Sequence, residues 1–158
     1  MVFKTLFIKE VVMAGIKSEL AGMLNKALEL EHAARIQYLA HAELISGLNA
    51  EPVIERLKEI AGDEEKHEQK FRALIGSFLG GEPSMGIAET HRATGINKIL
   101  EINRTNEREA VDYYKQIYKT VMDHKAELHY KFETLEHEIR HVILDEEEHI
   151  AELSVLLE

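Results

Sequence analysis

The chain has 158 residues, no cysteine, and 29 acidic against 19 basic side chains, for a net charge of −10. That length suits one domain of ordinary size. The lack of cysteine excludes a disulfide scaffold, Cys-ligated zinc, iron–sulfur clusters and a thiol nucleophile, and the acidic balance argues against a nucleic-acid-binding module while favouring cations.

Of the acids, 25 are Glu and only four are Asp, and the chain carries two Pro and nine Gly. Glu is a good helix former and Asp is not, so a mostly helical protein is expected. No apolar run approaches the roughly 18–20 residues of a membrane span. The only candidate targeting segment, Phe3 to Ile16, is broken by Lys9 and Glu10. A soluble, cytoplasmic protein is the expectation. Residues 1–15 match no usable pattern and are set apart as an N-terminal extension of unknown structure; residues 16–158 are read as one bundle.

The predicted elements are long and few. Ser18 can cap a first helix to about Ile45, with Leu20, Leu24, Leu28, Ala34, Tyr38 and Leu39 at near-helical spacing. Ser46 to Asn49 ends it. Pro52 fits the first turn of a second helix to about Leu79, with Ile54, Leu57, Ile60, His67, Phe71, Leu74 and Phe78 toward one side. The break Gly80-Gly81-Glu82-Pro83-Ser84-Met85-Gly86 opens a polar connection ending near Gly95. A third helix is expected from Thr94 or Gly95 to about Val121, then a turn near 122–127, then a last helix to about Leu157. Two antiparallel helical hairpins joined by a long crossover make an all-α four-helix bundle.

The chemistry lies in an internal repeat. Residues 31–38 and 107–114 both read Glu-x-x-Ala-x-x-x-Tyr, and residues 63–67 and 145–149 both read Asp-Glu-Glu-x-His. On a helix, Glu and His three apart share a face, so Glu64 with His67 and Glu146 with His149 can converge on one ion each. Ala34 and Ala110 would leave room beside Glu31 and Glu107. Tyr38 and Tyr114 could hydrogen-bond a ligand one or two turns away. In an antiparallel hairpin, residues at one height are equidistant from the turn. The midpoint of Glu31 and Glu64 falls within Ser46–Asn49, and that of Glu107 and Glu146 within 122–127. Four carboxylates and two imidazoles can therefore meet at mid-bundle. Such a set suits two cations of the iron or manganese type, with positions open for oxygen or peroxide. Without cations it would be costly to bury.

Two further Glu-x-x-His pairs, Glu29/His32 and Glu138/His141, read as solvated faces or helix ion pairs. The repeats and matched heights set the other two pairs apart from these.

On these residues the chain resembles the ferritin-like di-iron carboxylate superfamily, in which a Glu from each of two helices meets a Glu-x-x-His from each of the other two. The stretch Leu24-Asn25-Lys26-Ala27-Leu28…Glu31…Gln37-Tyr38…His41 resembles a bacterioferritin first helix. The resemblance implies two iron ions per chain, with manganese as the alternative. It implies Glu64 and Glu146 as bridges, Glu31 with His67 on one ion, and Glu107 with His149 on the other. Asp63 and Asp145 would each take a hydrogen bond from a ligand His on another helix. Bacterioferritins carry a haem-ligating Met just after the first bridging Glu; Glu65 stands there, so no haem is expected. Met23 and Met85 read as packing residues. Rubrerythrins, a second relative, carry an extra Glu where this chain has Ala110, and a Cys-rich unit that it lacks.

His41 reads as an ordinary packed or surface residue, with support of a metal ligand as the alternative; His124, His129, His137 and His141 read as a solvated face, with surface iron binding as the alternative; Tyr113, Tyr118 and Tyr130 read as packing or interface residues. The function expected first is oxidation of ferrous iron with O2 or H2O2, in iron storage or detoxification. The alternatives are a rubrerythrin-like peroxide reductase or other di-metal oxidoreductase served by an external electron donor, and a structural bundle with a vestigial metal site. The elongated apolar helix faces suggest a homodimer or larger homo-oligomer. No nucleic acid and no membrane are expected as partners.

Overall fold

The computed structural model describes the backbone of residues 2–158 and the side chains of residues 14–158. Among the described residues there are five α-helices: α1 (Val2–Ala42), α2 (Ala50–Ala73), α3 (Ile96–Asp123), the single turn α4 (Lys125–Leu128) and α5 (Phe132–Leu156). Among the described residues there is no strand, and no helix is long and apolar enough to cross a membrane. The four long helices form a bundle. α1 pairs with α2 and α3 with α5, and residues 79–95 cross between the hairpins.

The first helix does not start at Ser18. It already runs at Val2, and Ser18 sits exposed in its interior. A cap residue acts only where backbone N–H groups lack partners, and α1 is continuous through this point. The N-terminal extension therefore continues α1 from Val2; its side chains up to Met13 lie outside the described residues. Leu39, expected inside, is 42% exposed.

α2 does not end as a regular helix. Leu74–Phe78 form a π-helical turn. A π turn adds a residue to the turn and shifts the phase of the residues beyond it. Hence Leu74, Ile75 and Leu79 are buried, while Phe78, expected to stay in step, is only half-buried. The second hairpin also turns in two steps rather than one. His124 breaks the helix after α3, and His129 at φ 51° ends α4 before a short 3-10 turn, His129–Lys131.

The crossover is strapped along α1. Asn25 Nδ2 donates to the Glu82 carbonyl at 2.9 Å, and its Oδ1 accepts from Ser84 N at 2.7 Å. Ala88 N donates to the Glu29 carbonyl at 3.0 Å, and His91 N to Gln37 Oε1 at 2.6 Å. Glu29 and His32 serve this strap: Glu29 takes the Ser84 hydroxyl, and His32 Nδ1 lies 2.7 Å from the Gly86 carbonyl. They are half-buried rather than a solvated face. At Gly86 a Cβ would come 2.8 Å from Glu29 Oε1, so a larger residue here would displace that carboxylate from the strap. Met85 is not a packing residue but 95% exposed, and Tyr130, 99% exposed, does not pack within the described residues, which leaves its reading as an interface residue. Met23, Tyr113 and Tyr118 do pack against the core.

The core comes in two apolar halves. One gathers Leu20, Leu24, Leu28, Phe71, Ile117, Leu135 and their neighbours. The other gathers Ala42, Ile45, Leu57, Ile60, Ile99, Leu100 and Leu153. Between them lies a layer of buried Glu and His, which the apolar ends hold at fixed height on four helices.

Candidate metal centre

Six ionisable side chains meet in that layer. Glu31 comes from α1, Glu64 and His67 from α2, Glu107 from α3, and Glu146 and His149 from α5; none is more than 3% exposed. They form two overlapping groups. Glu31, Glu64, His67 and Glu146 each offer an atom within 4.8 Å of the others, and so do Glu64, Glu107, Glu146 and His149. Glu64 and Glu146 belong to both.

The imidazoles are aimed. His67 Nδ1 lies 3.0 Å from Glu146 Oε1, 3.2 Å from Glu64 Oε2 and 3.6 Å from Glu31 Oε2. His149 Nδ1 lies 3.0 Å from Glu146 Oε2 and 3.5 Å from Glu64 Oε1. The far nitrogens face outward: His67 Nε2 is 3.1 Å from Asp145 Oδ2, and His149 Nε2 is 3.5 Å from Asp63 Oδ2. Each Asp thus meets the histidine of the other hairpin. An N–H donated outward leaves Nδ1 free to face a cation.

The tyrosines are crossed too. Tyr38 on α1 donates its hydroxyl to Glu107 on α3, and Tyr114 on α3 donates to Glu31 on α1. Each reaches across the bundle rather than along its own helix. Burial and the neighbouring carboxylates, Glu107 for Tyr38 and Glu31 for Tyr114, hold both hydroxyls protonated well above their usual range. They can therefore only donate to a carboxylate.

Without a cation the layer is electrostatically conflicted. Burial, then repulsion from Glu146 and its neighbours, pushes the Glu64 and Glu107 carboxyls far up. Burial also opposes the charge on Glu146, but hydrogen bonds from His149 and His67 outweigh it and hold that carboxyl low. For both histidines burial works against the charge; hydrogen bonds to Glu146 overcome it and raise them. One oxygen, Glu64 Oε1, is buried with no hydrogen-bond partner.

A cavity of about 290 Å³ opens beside this layer, between α1 and α3 under the crossover. Ala34 and Ala110 line it along with Glu31 and Glu107, and Ala88, Glu89 and His91 bound it from the strap. Its wall includes a polar cluster that sequence spacing did not single out. Gln37 Nε2 donates to Asn103 Oδ1 and Asn106 Oδ1, each at 2.9 Å, and Asn103 Nδ2 contacts His41 Nδ1 at 3.0 Å. His41 is thus a packed residue of this cluster. Glu68, 2% exposed, was also missed: Arg35 Nε sits 2.5 Å and Arg72 Nη1 3.2 Å from its oxygens. An acid four residues before Arg72 was the one available signal for that group.

The family model for the ferritin-like domain matches residues 21–158, which include all six buried donors. The chain belongs to the ferritin-like family. A bacterial ferritin of Neisseria meningitidis serogroup B is 33% identical over 93 residues, 59% of this chain; that match spans 60% of the relative's own length. Among solved structures, a ferritin-like, diiron-carboxylate protein from Bacillus anthracis superposes with a TM-score of 0.83 at 25% identity, covering 90% of this chain and 98% of that one. The dodecameric thioferritin of Bacteroides fragilis, a bacterioferritin-related protein, gives 0.78 at 25% identity, over 89% and 85% of the two chains. The bundle with a carboxylate-rich layer at mid-height is thus the ferritin-like arrangement, and its donor groups are of a kind that could hold a di-iron centre.

Proposed function

We propose that this ferritin-like protein oxidises ferrous iron with O2 or hydrogen peroxide, in iron storage or detoxification. The observation that carries the reading is the pair of overlapping donor groups sharing Glu64 and Glu146. The donors fit such cations. Carboxylate and imidazole suit iron, with manganese as the alternative, and the unpartnered Glu64 Oε1 is a buried acceptor that a cation would satisfy.

In this reading Glu31 and His67 hold one ion and Glu107 and His149 the other, with Glu64 and Glu146 between them. Ferrous iron is the substrate, and two ions supply the two electrons that, with two protons from solvent, reduce one O2 to hydrogen peroxide or one hydrogen peroxide to two waters. The chain contributes positioning and charge. Four carboxylates offset the charge of two divalent ions. Tyr114 and Tyr38 fix the rotamers of Glu31 and Glu107. Asp145 fixes the His67 tautomer through a hydrogen bond, and Asp63 faces the outer nitrogen of His149 at 3.5 Å. The cavity under the crossover offers a small oxidant a way to the carboxylates. Glu65, exposed on α2, gives haem no ligand at that position. A cytoplasmic homo-oligomer completes the reading, supported by the dodecameric state of the Bacteroides fragilis relative.

The test is anaerobic Fe2+ titration of the metal-stripped protein, then addition of O2 or peroxide, with particle mass measured in parallel. Two ions bound per chain, rapid oxidation, and further loading into a large particle are expected. Saturation at two ions in a small oligomer would refute storage. Retention of both ions by Glu64→Ala would refute the site assignment.

A further inference from the structure

The outer face of α5 carries a second set of metal-type donors. His137 and His141 are four residues apart on one helix, and their rings lie with centroids 4.3 Å apart at an interplanar angle of 46°. His137 is exposed and His141 half-buried. The hydrogen bonds among the described residues engage His32, His41, His67, His124 and His149. Those hydrogen bonds include none to the nitrogens of His137 or His141 among the described residues.

We propose that His137 and His141 form a surface site for one borderline divalent cation of the copper, nickel or zinc type, separate from the internal pair. Two imidazoles at i and i+4 on one helical face are a recurrent chelating element, because one turn brings their nitrogens within reach of a common ion. Imidazole without an enforced carboxylate set favours these later metals over magnesium, calcium or manganese. The surrounding charge favours a cation. Glu133 lies one turn before the pair and Asp145 one turn after. The nearby basic groups are occupied: Arg140 by Glu136 at 2.7 Å, and Lys70 by Glu138 at 3.8 Å. Eight residues, about 12 Å of helix rise, separate His141 from His149. The two sites can therefore be filled independently, and this inference does not rest on the ferroxidase reading.

The experiment is a Cu2+ titration of the metal-stripped full chain, read by stoichiometry and by electron paramagnetic resonance. Wild type should bind one more Cu2+ per chain than a variant combining His137→Gln and His141→Gln, and that ion should show coupling to imidazole nitrogen. His137→Gln alone, a change at an exposed position, should weaken it at least tenfold with helicity unchanged. A chain with Glu64→Ala and His149→Ala should keep this ion while losing the internal ones. Equal stoichiometry in wild type and the double histidine variant would overturn the proposal. So would loss of the surface ion in the Glu64/His149 variant, since the two sites would then not be separate.

Discussion

Replacing Tyr38 by Phe should weaken the ion on the far side of the bundle from its own helix partner. Tyr38 shares α1 with Glu31, yet its hydroxyl is spent on Glu107, and Tyr114 mirrors it by serving Glu31. The perturbation removes one buried hydrogen bond to a carboxylate and little else, because Tyr38 is 1% exposed and the ring stays. A hydrogen bond to a charged group contributes about 1.5–3 kcal/mol. Loss of a group that orients a metal ligand costs about 10–100-fold in affinity, or roughly 1.4–2.7 kcal/mol. The two figures agree, so a drop of that size is expected at one ion only. The assay is Co2+ or Fe2+ binding in two backgrounds. His67→Ala leaves the Glu107/His149 ion, where Tyr38→Phe should lower affinity within that range. His149→Ala leaves the Glu31/His67 ion, where Tyr38→Phe should have no effect and Tyr114→Phe should. Equal weakening in both backgrounds, or an effect that tracks the helix instead of the hydrogen bond, would refute the crossed wiring.

Metal should raise the melting temperature more at about pH 8 than at about pH 5.5. Glu64 and Glu107 are raised in the fold above the ordinary 4.5, so their stabilising protonation is lost as pH rises through the folded values; His67 and His149, raised above 6.5, act with the same sign. Glu146 is depressed and loses its contribution only at acid pH, outside this window, while cation binding gains as protons leave. A metal-induced shift that shrinks toward pH 8 would contradict this sign. Glu64→Gln should raise the melting temperature of the chelator-treated protein while abolishing the full metal complement, since it removes a buried carboxylate in conflict with its neighbours; unchanged metal content measured by elemental analysis would contradict it. Phe71→Ala should cost about 3–5 kcal/mol in urea unfolding, because Phe71 is fully buried with its ring edge-on to Tyr114 at a 5.4 Å centroid distance. A cost under about 1 kcal/mol would mean the two core halves are not tightly packed against the polar layer.

The site was legible because its chemistry is repeated. Glu-x-x-Ala-x-x-x-Tyr and Asp-Glu-Glu-x-His each occur twice, and antiparallel geometry turns their sequence positions into heights. The hairpin order came from the same arithmetic. The features that escaped have no repeat to mark them. Glu68 is buried because two arginines and a histidine from separate turns converge on it. Gln37, Asn103 and Asn106 become a unit only when α1 and α3 lie side by side. The π turn at Leu74–Phe78 holds Gly76 but no proline, and a lone glycine inside a helical pattern does not specify a π turn; the left-handed His129 is not a glycine at all. The crossing of the tyrosines depends on which rotamer reaches which helix, and spacing along one helix cannot supply that. The Glu29/His32 pair escaped for a similar reason: its partners lie in the crossover, 54 and 55 positions away.

The sharing of Glu64 and Glu146 bears on how the protein matures. Neither donor group can be assembled from one hairpin: the first draws on α1, α2 and α5, the second on α2, α3 and α5. A nascent or clipped chain that has made only its first hairpin holds Glu31, Glu64 and His67 but lacks Glu146. Neither full donor group would therefore be in place until the second hairpin docks, so that a centre loaded with both ions would report a completed bundle. This differs from a contiguous metal-binding loop, which can capture its ion while the rest of the chain is still unfolded.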